Sequence, residues 1–600
     1  MNRTLRCLLT ACFTMMMIAA TTAGAQTPAP IAYTIRFPAP ATHYMEIEAV
    51  YPTGGRAEID LFMAVWTPGS YLVREYARHV EQVVARGAAG QALAVRKTTK
   101  NRWRVATGGA ASVTVRYRVY GREMTVRNNW IEAGFAMLNG APTFLTLVDD
   151  GPRAHRVRLE LPEGWTTTAT ALTRVEGEAH SYVAEDFDTL VDSPIVAGNP
   201  VITEFAFGGR PHYVVHEGDP SLWDTARAND DVRKIVEVTR EMFGEVPYPH
   251  YYFLNMVTEA GGGLEHKNST LLMANRFTTR ARRSYLGWLT LVSHEYFHVW
   301  NVKRLRPVAL GPFDYEHENY TESLWVAEGV TSYFGDLLVR RAGLSTRGEY
   351  LEGLSTEIAN LQNAPGRAVQ TTAASSFDTW IKQYRPDENS PNTAISYYTS
   401  GQVISFLLDA KIRAATNGQR SLDDGMRLAY QRYSGPTGYT PDEFHAVMSE
   451  VAGVDLAPWF ARVLTTTEEF DYTEALHWYG LRFRPAEPTT RAWTGLVTRN
   501  DAGRLLVSQV RRDTPGYAAG LNVDDEILAI DDLRVRADQL TNRLEQYKAG
   551  DQVTLLVARR ERLMRLVLTF GAEPGRAWRL EPDPGATEEQ RKRLAAWLGD

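Results

Sequence analysis

The chain has 600 residues, 44% hydrophobic and 23% charged, with 65 Lys and Arg against 71 Asp and Glu for a formal net charge of -6. That length predicts several domains, and the composition is that of a globular protein able to bury a large core. The acidic balance excludes a broad basic surface for nucleic acid and a polybasic membrane anchor.

The first residues read as a secretory signal. Arg3 and Arg6 precede an apolar run from Leu8 to Ala20, and Ala23-Gly24-Ala25 supplies small residues for cleavage before Gln26. Both cysteines, Cys7 and Cys12, fall inside residues 1–25, so what remains must rest on its core rather than on disulfides. No later segment reads as a bilayer span. The expectation is a periplasmic or secreted protein with no membrane span after signal removal.

Residues 26–205 read as an antiparallel β domain. Tyr33 to Phe37, Tyr44 to Val50 and Ser112 to Tyr120 alternate apolar with polar side chains, with Pro and Gly punctuation between them. The aromatic and charged stretch Pro68-Gly-Ser-Tyr-Leu-Val-Arg-Glu-Tyr76 reads as a packed loop. From 206 to 471 the pattern turns mostly helical. Val232, Ile235, Val236 and Met242 space a helix over 231–243, and Tyr251 to Val257 reads as a strand. The strand leads into Thr258-Glu-Ala-Gly-Gly-Gly-Leu-Glu-His266, whose glycines let a substrate backbone approach closely. On composition, Glu265 fits a site residue and a solvated loop carboxylate equally well.

The central motif is His294-Glu-Tyr-Phe-His298, H-E-x-x-H. Positions i and i+4 share a helix face, so both imidazoles can point at one metal ion, with Glu295 beside a water on that ion. Neutral imidazole suits zinc, which lowers the pKa of bound water to about 7. The surrounding helix is apolar, and inward-facing His, Glu and His would be costly there without something to bind. Lys303-Arg-Leu-Arg-Pro307 then predicts a basic helix end stopped by proline. Residues 308–322 connect to a helix from Ser323 carrying Glu328. The polar stretch 360–395 is expected to cross over the cleft, and Tyr397 to Ile412 and Thr440 to Ala452 are further helices. Residues 472–571 return to β structure, with strands at 504–510, 526–530, 553–557 and 566–570 and a helix over 537–546. Residues 572–600 read as a charged helical tail.

Three runs together resemble the secreted glycyl aminopeptidases, zinc peptidases with a C-terminal PDZ domain: Gly262-Gly-Leu-Glu-His266, His294-Glu-Tyr-Phe-His-Val-Trp-Asn-Val-Lys-Arg304 and Trp325-Val-Ala-Glu-Gly329. The resemblance implies a multidomain α+β chain: N-terminal β domain, thermolysin-like peptidase domain, PDZ domain over 472–571. It implies one zinc ion on His294, His298 and Glu328, with Glu318 as the runner-up third ligand, and Glu295 as general base. The glycine loop resembles the Gly-Ala-Met-Glu-Asn loop of the larger zinc aminopeptidases. That likeness implies Glu265 as receiver of the substrate's amino group, with Gly262 and Gly263 along its backbone. Tyr398-Thr-Ser-Gly401 resembles the tyrosine motif that stabilises the tetrahedral intermediate, with Tyr397 as its neighbour and rival. Thr494, Gly495 and Leu496 would form the PDZ loop that receives a terminal carboxylate. The expected activity is release of N-terminal glycine or alanine from peptides with a free N-terminus, and the expected second partner is a C-terminal peptide at the PDZ domain. The alternatives are an endopeptidase with the same metal centre and a peptide-binding scaffold led by the PDZ domain.

Overall fold

The computed structural model describes residues 28–148, 152–485, 490–573 and 578–600; the signal read over 1–25 and both cysteines lie outside them. Among the described residues no helix is long and apolar enough to cross a membrane.

Residues 31–198 are β-rich: an eight-stranded sheet packs with two four-stranded sheets around Tyr33, Ile47, Tyr51, Leu61, Val115 and Tyr117. The strands Ile31–Arg36, Tyr44–Pro52 and Ser112–Tyr120 fall where the alternation placed them, each burying every second side chain. One pairing departs from the antiparallel expectation. Ile31–Arg36 runs parallel to His155–Glu160. These strands are remote in sequence, so no hairpin turn dictates their relative direction.

The next unit is built on a five-stranded mixed sheet. In chain order its strands are β1 (Val201–Phe207), β2 (Arg210–Glu217), β3 (Tyr251–Thr258), β4 (Gly262–Glu265) and β5 (Ser269–Asn275). They lie in the order β1-β2-β3-β5-β4, with β3 parallel to β2 and β5, and β4 antiparallel at the edge. Both faces are covered. Tyr251, Phe253, Leu272 and Ala274 pack under α1 (Thr225–Phe243) and α2 (Arg282–Phe297), while Leu254, Met256, Leu271 and Met273 pack against the N-terminal domain through Val126, Met137 and Val196. Double coverage explains why β3 and β5 read as apolar runs rather than alternations.

Helix α2 stops earlier than the sequence suggested. It ends at Phe297, with His298 as its cap, and the chain then folds back through turns that bond Lys303 N–H to the His298 carbonyl and Leu305 N–H to the Trp300 carbonyl. Arg304 is the physical reason. Its guanidinium donates to the carbonyls of Pro247, Lys267 and Val299 and to Asn268, contacts that a continued helix would carry away.

Glu328 lies on a π-helical turn, Trp325–Val330, that runs directly into α3 (Thr331–Arg341). The wide turn loosens the carbonyl ladder. Asn301, just past the H-E-x-x-H helix, donates its side-chain amide to the Val326 carbonyl (2.8 Å) and to Thr331 Oγ1 (3.0 Å), joining the two segments. Helix α4 (Tyr397–Ala415) packs across this turn with Gly401 against Gly329, where a Cβ on either glycine would collide with the other's backbone.

Residues 492–572 form a separate β unit with its own core of Leu505, Val507, Ile527, Val553, Val557 and Leu568. It hangs between the paired strands Leu481–Phe483 and Leu580–Pro582. The predicted helix over 537–546 is there a short 3-10 turn, Ala537–Gln539, followed by Leu540–Leu544. The charged tail helix, Glu588–Leu598, returns to the peptidase unit. Leu594, Trp597 and Leu598 share one face by helical spacing; Trp597 stacks on Tyr479 at 4.2 Å and donates to the Tyr333 hydroxyl at 2.8 Å.

Candidate active site

Three potential ligand atoms converge on the cleft side of α2. His294 Nε2 lies 3.1 Å from His298 Nε2, and Glu328 Oε2 lies 3.4 Å from the first and 3.3 Å from the second. Donor atoms held tetrahedrally at about 2.1 Å from zinc stand roughly 3.4 Å apart, so the three separations suit one such ion. The tautomer agrees. His298 Nδ1 faces the Asn301 carbonyl at 2.7 Å, and a carbonyl only accepts, so Nδ1 carries the proton and Nε2 presents its lone pair. His294 Nδ1 has Ser332 Oγ at 3.4 Å.

The electrostatics favour a cation. Burial works against a charged His298, yet Glu328, Glu265 and Glu295 outweigh it and hold that imidazole above its ordinary range. Burial alone would raise Glu328; the two histidines pull it below. Glu295 goes the other way, raised mainly by burial. Glu328 is 2% exposed, and acids at such depth need a partner of opposite charge.

Two further carboxylates flank this trio with oxygens that have no protein partner. Glu295 Oε2 and Glu265 Oε1 are both buried and unbonded, and both residues come within reach of His298. Glu295 leans on the edge strand β4, where a Cβ on Gly263 would overlap its carboxylate. Gly262, with φ +118, precedes it on the open outer edge of the sheet, and nothing crowds its α-carbon. Replacing Gly263 with alanine should therefore push Glu295 aside; a shift of about 1 Å can cost on the order of 10²-fold in rate. We expect kcat to fall on that scale with metal content unchanged, and an unaltered kcat would show that this packing is not needed.

A cavity of about 370 Å³ joins these groups, lined by His294, His298, Glu328, Glu295, Glu265 and Tyr398 among others. Tyr398 lies over His294, ring centroids 6.2 Å apart. Tyr397 stacks on Tyr398 at 4.8 Å but is fully buried, its hydroxyl bonded to Thr379 at 3.0 Å. Glu318 belongs to neither cluster of potential ligands among the described residues, and Glu316 is paired with Arg102.

The stretch read as a packed loop reaches the site. Gly69, with φ +84, sits so close to Glu265 that a Cβ there would strike its carboxylate. The Gly69 carbonyl accepts from Tyr384 at 3.2 Å, so the 360–395 stretch touches this loop, but it is built of short helical turns such as Thr372–Phe377 and Asp378–Trp380 and lines none of the cavity. Arg127, also from the N-terminal domain, lines the cavity and donates from Nε to Ser70 Oγ at 2.8 Å. The only sequence signal for these residues was the Pro68-Gly69 turn, since nothing local tells which loop of one domain will roof another.

In the C-terminal unit, Gly495 adopts φ +73 and packs its α-carbon against Thr514. The Leu496 N–H is bonded within the loop, to Thr494 Oγ1 at 3.2 Å, and strand Leu496–Asp501 lies at the sheet edge.

Three families match the chain: Peptidase M61 N-terminal domain over 32–199, M61 glycyl aminopeptidase over 287–404 and PDZ domain over 480–568. No curated protein matches it. Among solved structures, an aminopeptidase N family protein from Idiomarina loihiensis is 30% identical, with 95% of this chain and 100% of that one covered at a TM-score of 0.89. Yeast LTA4 hydrolase in complex with bestatin is 14% identical over 74% of this chain and 68% of its own, TM-score 0.46. A mutant M1 zinc metallopeptidase from Deinococcus radiodurans is 12% identical over 74% and 95%, TM-score 0.46.

Proposed function

From the premise that this chain belongs to the M61 glycyl aminopeptidase family of metallopeptidases, we propose that it releases glycine or alanine from the free amino end of short peptides, using one zinc ion. The observation that carries the reading is the pair of unbonded buried oxygens, Glu295 Oε2 and Glu265 Oε1, on either flank of the three converging ligand atoms.

In this reading a zinc ion held by His294, His298 and Glu328 would supply Lewis acidity and a water of pKa about 7. The peptide lies along the open edge of β4, adding as a strand beside Gly262 and Gly263. Glu265 holds the substrate's ammonium, which places the first peptide bond, and no later one, over Glu295. Glu295 takes the proton of the attacking water and hands it to the departing amine. Its burial raises its basicity, which suits a proton acceptor near neutral pH. Tyr398 donates its phenol proton toward the carbonyl oxygen as negative charge grows there. The edge strand Leu496–Asp501 would receive a peptide's carboxyl end through the 494–496 loop. The signal read over 1–25 belongs to the same proposal, with the working protein in the periplasm or outside the cell.

A panel of aminoacyl reporters tests the reading. Glycyl and alanyl substrates should exceed leucyl and phenylalanyl ones by about tenfold or more in kcat/KM, a chelator should abolish hydrolysis, and zinc should restore it. Equal rates on bulky residues, or turnover that survives the chelator, would reject it.

A further inference from the structure

The N-terminal β domain grips the site from behind as well as roofing it. Its short helix Phe187–Val191 ends at Asp192, which accepts three hydrogen bonds from the peptidase unit. Asp192 Oδ1 accepts from Lys303 Nζ at 2.9 Å and faces His266 Nδ1 at 3.1 Å; Oδ2 accepts from the Lys267 N–H at 2.7 Å. His266 and Lys267 directly follow Glu265, and Lys303 lies in the turn that follows the H-E-x-x-H helix. One carboxylate thus ties down the ends of the two elements that carry Glu265 and Glu295.

Lys303 is a buried cation, its side chain only 9% exposed. Among the described residues Asp192 is the one carboxylate within ion-pair distance of it. Burial works against its charge, but Asp192, Glu265 and Glu295 together hold its pKa above the ordinary range, so the two cleft acids lie near enough to feel this ammonium. A lysine stem is flexible, and its head is the same chemical group as a peptide's amino end. Released from Asp192, it would still feel Glu265 and Glu295, the other two acids that act on it and the ones assigned to the substrate in the reading above.

Building on the reading that Glu265 receives the substrate's amino end, we propose that Asp192 is a positioning residue for that site: it holds the Lys303 ammonium back from Glu265 and clamps His266, so that Glu265 stays free for the incoming peptide. Amino-end recognition then depends on the docking of the N-terminal β domain. In Asp192→Asn the anion is lost while a polar group of the same shape remains, and Lys303 swings to Glu265 as an internal competitor.

The test is a KM series on a glycyl reporter with full-length, zinc-loaded enzyme. Asp192→Asn should raise KM by about tenfold or more with kcat changed by less than about threefold and with zinc content unchanged. Adding Lys303→Met removes the competitor, and the double variant should recover KM to within about threefold of wild type. An unchanged KM in D192N, or a double variant no better than D192N, overturns the proposal. If D192N does not fold, K303M alone decides: a wild-type KM supports the proposal and a tenfold rise overturns it, since the cation would then be needed rather than restrained. Glu265→Gln tests the underlying reading separately. If that variant still prefers a free amine to an acetylated one, Glu265 is not the receiver, whatever the Asp192 series shows.

Discussion

Replacing Glu295 with glutamine should lower kcat by about 10³-fold while leaving one metal ion bound. The side chain keeps its shape, so the contact with Gly263 survives. Glu295 is not among the three atoms that converge at 3.1 to 3.4 Å, so the metal should stay. What disappears is the proton acceptor, because an amide cannot take the proton of water. Stability should not fall, since the change removes a carboxylate that burial already disfavours in its charged form. Steady-state kinetics with metal quantification on the same preparation reads both effects. A kcat close to wild type would mean that another group accepts the proton.

The second large effect lies in the metal itself. Glu328→Ala leaves two imidazoles and should drop metal content from about one equivalent toward zero after dialysis, with activity following it. Glu318→Ala provides the contrast. Glu318, the runner-up third ligand in the sequence, lies outside the cluster, and its loss should leave both metal and activity in place. Retained metal in the Glu328 variant with loss in the Glu318 variant would reverse the assignment of the third ligand.

What could be read from the chain beforehand followed the range of the interactions. Strands Ser112–Tyr120, Arg504–Val510 and Glu526–Ile530 were legible because their periodicity is local. The histidine pair was legible because helical spacing fixes it on one face, and Glu328 through the family resemblance of the run Trp325-Val-Ala-Glu-Gly329. Three things were not local. Lys303 and Arg304 looked like a helix end, yet their partners include Asp192, Pro247 and Lys267, which are remote in sequence. Gly69 and Arg127 looked like parts of a self-contained β domain, and only docking puts them in the cleft. The tail's charges hid the face through which Trp597 enters the peptidase core, beside Tyr479 and Tyr333.

The measurement that bears most directly on this account is the ratio of kcat/KM for a glycyl peptide over its N-acetylated form, in wild type and in Glu265→Gln. Exopeptidase action set by a buried carboxylate at the amino end predicts a wild-type ratio of about 10² or more, collapsing toward unity in the variant because the free-amine substrate loses its anchor. Equal cleavage of both peptides by the wild-type enzyme would contradict it and make the chain an endopeptidase.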